Sequence, residues 1–231
     1  FRSHPYNWTT IGELEDLQNA TLEDVRSFYE KWYGPNNATM VIAGDIEKRE
    51  VKKLVEKYFG EIKAGPDNGD PEPMPIELTE TKKLYHEDNF ASSPRLSMVF
   101  PTVDQKHFDA PALELLGQLM GDGKKAPLYK VLVEEKKLAP NLYSYSGTQE
   151  IAGTFNIVVD GFPTSSLTDV EVAVHEAFVH FENESFTAED LERLKAKYET
   201  GFYQGISSVL GKGFQLARYN EYYGSPDAIA T

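Results

Sequence analysis

From residue 21 the chain repeats its apolar positions at intervals of three and four. Val25, Phe28, Tyr29, Trp32 and Tyr33 fall at i, i+3, i+4, i+7 and i+8, which lines one side of an amphipathic helix. Thr21, with Asp24 three residues on, makes a capping-box-like start, and Gly34-Pro35 stops the pattern. The run Ala38 to Gly44 (ATMVIAG) is short, apolar and without alternation, which predicts a strand buried on both faces. Asp45 turns the chain. Val51, Leu54, Val55, Tyr58 and Phe59 then mark a second helix, ended by Gly60. The expected order of this first block is helix–strand–helix.

Residues 64–76 (AGPDNGDPEPMPI) carry four prolines and two glycines. Proline fixes φ and removes a donor, so this stretch is neither a helix nor a central strand. It is the natural boundary of the chain. Beyond it, Lys82 to Glu87 and Leu96 to Phe100 read as strands, and Ala110 to Met120 and Leu128 to Glu135 as helices. Leu142 to Ser146 and Thr154 to Val159 alternate like strands around a turn near Glu150 to Gly153. Two long helical stripes follow, Val170, Val174, Ala177, Phe178 and Phe181, then Leu191, Leu194, Tyr198 and Phe202, the second opened by Thr187 and Asp190. Strands, helices, strands and helices in that order predict an α+β domain, its mostly antiparallel sheet covered by helices on one side.

Composition narrows the function classes. At 231 residues and 40% hydrophobic content the chain can bury a real core. Its net charge of −14 repels nucleic acid and anionic membrane. No apolar run approaches the roughly 18 residues of a membrane span. With no cysteines, thiolate metal sites, disulfides and a cysteine nucleophile are excluded. Phe1-Arg2-Ser3-His4-Pro5 has neither Met nor a signal pattern, so the chain is expected to be a piece of a longer one.

The five histidines are the first candidates for chemistry. His175-Glu176 with His180 resembles the zinc-protease pattern HExxH, but the histidines are five residues apart instead of four. At i and i+5 they point about 140° apart around a helix, so they cannot share a zinc ion. The inverted motif HxxEH is absent, and His4, His86 and His107 stand alone. No G-x-S-x-G, Walker A or G-x-G-x-x-G sequence occurs. Catalytic and metal-binding residues are therefore expected to be none in this chain.

A more specific signal lies in the order His4-Pro5-Tyr6, Ile11-Gly12, Thr21-Leu-Glu-Asp24-Val25, Phe28-Tyr29, Trp32-Tyr33, Pro35-Asn36-Asn37-Ala38, Val41-Ile42-Ala43-Gly44-Asp45 and Val55-Glu56-Lys57-Tyr58-Phe59-Gly60. In these residues the chain resembles the pitrilysin/insulinase family of zinc metallopeptidases (family M16), in the segment that closes its first domain. Ala126-Pro-Leu128-Tyr129, Leu132 and Glu135-Lys-Lys-Leu138-Ala139 are similar to the family's next domain. The resemblance implies that 1–63 is the end of a first M16 domain, 64–76 a linker, and 77–231 a second, inactive-type M16 domain truncated at its end.

What the resemblance implies about chemistry follows residue by residue. The family holds zinc with the histidines of HxxEH and a downstream glutamate, all upstream of the His-Pro-Tyr segment, so zinc is expected in the parent protein and none in this piece. An Arg and a Tyr, seven residues apart, contact substrate in the family's second half. The matching positions here are Val133 and Pro140, so substrate-binding residues stay unassigned. The expected function is a non-catalytic part of a zinc-dependent peptidase, contributing to the peptide chamber and packing against the catalytic M16 domain or the second M16 half. The alternative is an inactive M16-fold scaffold or assembly subunit. A third reading is a peptide-binding module whose acidic face holds basic segments. An extracytoplasmic bacterial setting is what the resemblance suggests.

Overall fold

The computed structural model describes residues 4–184 and 186–228. In chain order its helices are α1 (Leu14–Asn19), α2 (Leu22–Trp32), α3 (Lys48–Phe59), α4 (Ala110–Gly121), α5 (Pro127–Tyr129, running on as a π-helical segment, Lys130–Glu135), α6 (Leu167–Glu184), α7 (Ala188–Gly205) and α8 (Val209–Tyr223). The strands are β1 (Arg95–Thr102), β2 (Asn141–Thr148) and β3 (Gly153–Asp160). The chain divides into two compact units: Pro71–Ala196, and Arg2–Asp70 together with Lys197–Thr231. The first division falls inside the proline-rich stretch. The second falls inside α7, and residues from Lys197 onward group with the first block of the sequence.

In the unit Pro71–Ala196, the three strands form one antiparallel sheet in the order β1-β3-β2. β2 and β3 are a hairpin, closed where Gln149 N donates to Ala152 O at 2.9 Å. Side chains alternate across the sheet. Phe155, Ile157 and Val159 of β3 and Leu142 of β2 therefore point to one face, where they join Met120 of α4, Leu128 and Leu132 of the α5 segment, and Val170, Val174 and Ala177 of α6 in one core. Phe178 and Phe181 pack against it. Burying each such aliphatic side chain contributes about 1.5–3 kcal/mol. The α+β architecture with helices on one side of an antiparallel sheet is the one the sequence pattern implied.

The other unit contains α1 to α3, the second half of α7, and α8. Thr21 caps α2 in a full capping box with Asp24. Asn36 is a clamp: its Nδ2 donates to Gly65 O and Pro66 O at 3.2 and 3.1 Å, and its Oδ1 accepts from Gly65 N at 2.7 Å. Asn68 Nδ2 donates to Lys31 O at 2.8 Å. The chain before Pro71 is thus pinned to the end of α2.

Two expected strands do not form. Ala38–Gly44 pairs with no strand among the described residues, and Met40, Val41 and Ile42 are exposed. Lys82–Glu87 is likewise unpaired, with Leu84 96% exposed. The physical reason is common to both. An apolar run becomes a buried strand only when a neighbouring strand takes up its backbone groups, and a periodicity argument cannot supply the neighbour. The α2 stripe forms its helix as expected but is not a core: Val25, Phe28, Tyr29 and Tyr33 are all more than half exposed. Helix α8 is one that the apolar pattern does not predict. It is capped by Ser208, whose side chain accepts from Gly211 N, and ends at Gly224 in the left-handed region.

Candidate functional site

The sequence candidates separate in space and chemistry. His175 and His180 both lie on α6, and each has its own neighbour. His175 meets the Phe178 ring edge-on at 5.8 Å, and His180 Nε2 lies 3.3 Å from Glu184. His4 is buried, its Nδ1 accepting from Tyr6 N at 3.0 Å. His107 Nδ1 accepts from Asp109 N at 3.1 Å. Among the described residues no three His, Asp or Glu side chains converge as a metal site. These residues do not fit a zinc ion, and no step through zinc follows from them.

Val133 sits in the π-helical segment and packs against the core. Pro140 is exposed, one residue before β2 begins. Between them the chain turns sharply: Leu138 N donates to Leu132 O at 2.8 Å, and Lys137 adopts a left-handed φ of 52°. Neither Val133 nor Pro140 presents a side-chain donor or charge. The arrangement can hold a fold together but cannot polarise a peptide carbonyl.

The sheet face turned away from the core is the surface that periodicity could not assign. Register places Arg95, Asp160 and Asn141 in one row across the three strands, Ser97, Val158 and Tyr143 in the next, and Val99, Asn156 and Tyr145 in the third. Residues directly opposite share a face. Tyr143 and Tyr145 stack at 6.0 Å and are 42% and 47% exposed. At the end of this face Arg95 Nε donates to Asp160 Oδ1 at 2.6 Å. That bond, and the charge behind it, raises the Arg95 pKa above its ordinary value. The face is therefore aromatic and polar, without a nucleophile–base pair.

Residues 19–198 match the family model described as the peptidase M16 inactive domain. The chain is 27% identical over 208 residues to a Helicobacter pylori protein named zinc protease PqqE, covering 89% of this chain and 47% of the relative. It is 22% identical to a Bacillus subtilis protein named probable inactive metalloprotease YmfF, covering 91% and 48%. Its fold is similar to the crystal structure of a Helicobacter pylori protease, with TM-score 0.74, 23% identity and coverage of 95% of this chain and 54% of that one. It is also similar to a peptidase M16 inactive domain from Pseudomonas fluorescens, with TM-score 0.72, 20% identity and coverage of 99% and 53%. The chain spans about half the length of the curated relatives it matches. No helix among the described residues is long and apolar enough to cross a membrane.

Proposed function

Because the chain belongs to the pitrilysin/insulinase (M16) peptidase family, with most of its length matching the inactive domain, we propose that it is the non-catalytic portion of a zinc-dependent peptidase. In this reading another M16 domain of the parent binds zinc, which supplies an activated water for peptide hydrolysis. The residues of this chain supply packing against that domain and a wall of the peptide chamber. The observation that carries the reading is the match of residues 19–198 to an inactive domain. The apolar Val133 and exposed Pro140, where the family resemblance places an Arg and a Tyr, support it.

The domain arrangement follows the same reading. Residues 1–63 are the closing part of a first M16 domain, 64–76 its linker, and the sheet-bearing part beyond belongs to the second. The exposed α2 stripe and the unpaired Ala38–Gly44 run support this assignment: both are apolar surfaces of the kind that a sheet from the rest of the first domain would cover. The helix-free sheet face, with Tyr143 and Tyr145, lines the chamber.

Reconstitution tests the proposal. The catalytic M16 half of the parent is mixed with this chain and assayed on an internally quenched peptide. Hydrolysis by the mixture, with none from this chain alone, is the expected result. A chain that leaves the catalytic half's activity unaltered, or hydrolyses the peptide by itself, contradicts it.

A further inference from the structure

The last turn of α2 is completed by side chains from outside the helix. The final carbonyls of a helix have no partner within it. Here Asn37 Nδ2 donates to Trp32 O at 2.8 Å, and Asn68 Nδ2 donates to Lys31 O at 2.8 Å. Asn68 thus caps α2 from 37 residues away, and the Asn36 clamp on Gly65 and Pro66 seats it there. The fit is close: a Cβ on Gly34 would meet Gly65 N at 2.6 Å. Glycine follows Asn68, the single Asn-Gly pair of the chain. Gly69 holds a φ of 63° and has no side chain to shield its nitrogen. That nitrogen donates to Asp67 Oδ1 at 3.0 Å. The two groups through which an Asn-Gly pair reacts with itself are therefore both held, the side-chain amide by Lys31 O and the backbone nitrogen by Asp67.

We propose that Asn68 is a site of spontaneous covalent modification, guarded while its segment is clamped to α2 and reactive when the segment is released. In the reaction Gly69 N bonds to Asn68 Cγ, the Cγ–Nδ2 bond breaks, and ammonia leaves with the Gly69 amide proton. Water, the sole co-reactant, then opens the cyclic imide at either of its carbonyl carbons and returns a proton to the nitrogen. The product is aspartate at 68 or an isoaspartyl link to Gly69. Neither product can restore the clamp. An ionised carboxylate only accepts, so it cannot donate to Lys31 O. It also places negative charge at the C-terminal end of a helix, where the macrodipole disfavours it. One opening of the segment is thereby recorded as a lasting change in how α2 ends. The inference goes beyond the peptidase reading and does not depend on it.

The test incubates the 231-residue chain at mildly alkaline pH, folded or in guanidinium, and follows it by tryptic digestion and mass spectrometry. The tryptic fragment 64–82 carries Asn68 as its only side-chain amide, so the mass change from amide to carboxyl reports this residue alone. Deamidation is expected to be about tenfold slower in the folded chain than in guanidinium, the protection that hydrogen bonds of ordinary strength give against local opening. Asn36→Ala, which releases Gly65 and Pro66, is expected to bring the folded rate most of the way to the unfolded one. Asn68→Asp supplies the product directly. Hydrogen exchange at Gly65 and Gly69 is expected to be about tenfold faster in that variant than in the unsubstituted chain. Should Asn36→Ala not fold, the comparison of folded with unfolded chain and the Asn68→Asp variant decide the matter. Equal rates in the folded and unfolded chain overturn the inference, as does an Asn68 that stays unaltered in guanidinium. So does a folded Asn36→Ala variant that deamidates no faster, or an Asn68→Asp variant that exchanges as slowly as the unsubstituted chain.

Discussion

Gly121 of α4 lies so close to Ser144 of β2 that a Cβ on the glycine would stand 2.5 Å from the Ser144 hydroxyl and 2.8 Å from its backbone nitrogen. One turn earlier, a Cβ on Gly117 would meet Tyr145 Cα at 3.0 Å. The Ser144 hydroxyl donates to Gly117 O at 2.7 Å, so helix and strand are joined where the two glycines let them touch. Gly121→Ala forces them apart. It is expected to destabilise the chain by about 1–3 kcal/mol, the usual cost of overpacking, although alanine is the better helix former. Urea unfolding monitored by circular dichroism measures this, and an unchanged midpoint contradicts the packing described.

Lys137 supplies the opposite case. It is exposed and holds φ at 52° without being glycine, a conformation that costs an L-residue roughly 1–2 kcal/mol. Lys137→Gly removes that cost but adds chain entropy to the unfolded state. The net expectation is a gain of up to about 1 kcal/mol, read as a rise in melting temperature. A fall would mean that the lysine side chain contributes more than its backbone loses.

Core and stripe are expected to respond differently to substitution. Leu132 is fully buried, and Leu132→Ala is expected to cost about 2–5 kcal/mol. Val25 belongs to an equally apolar helical pattern but is 59% exposed, and Val25→Lys is expected to change stability by less than about 0.5 kcal/mol. The same pair of urea titrations measures both. A large loss at Val25 would show that the α2 face is already covered in this chain.

That contrast marks how much could be read from residues alone. The stripes of α2, α3, α4, α6 and α7 define helices because helical periodicity is local. The β2–β3 hairpin is legible for the same reason, through alternation around a short turn. Whether a stripe is buried is not local, which is why Val25 and Val170 read alike and differ in the fold. Strand pairing is not local either, so the strands expected at Ala38–Gly44 and Lys82–Glu87 find no partner among the described residues. The pattern of α8, in which Gly211 and Gly213 interrupt the apolar positions, gave too weak a stripe to register. Val133 and Pro140 became positions of interest only through the family resemblance, since nothing in a valine or a proline signals a site. The Arg95–Asp160 pair left no trace in the pattern, because the two residues are brought together only by the register of β1 on β3.

Two capping boxes make stability depend on pH in a definite direction. The Thr21 side chain and backbone hold the Asp24 carboxylate below its ordinary pKa, and those of Thr187 do the same for Asp190. Each carboxylate ionises more readily in the folded chain than in the unfolded one. Its contribution is therefore complete above the ordinary aspartate range, about pH 4, and is lost as pH falls through the lowered folded value. Melting temperature is expected to fall between about pH 5 and about pH 3, and to fall less in the Asp24→Asn, Asp190→Asn double variant. Parallel curves for the two proteins would contradict the assignment.

The central claim is that this chain works as the non-catalytic portion of a zinc peptidase. Reconstitution with the parent's catalytic half tests it most directly, with kcat/KM on a quenched peptide measured as this chain is titrated in. The account expects activity to rise and saturate at one equivalent, to vanish when a chelator strips zinc from the mixture, and to be absent from this chain alone. Peptide hydrolysis by this chain without its partner, or a catalytic half indifferent to its addition, would contradict the account.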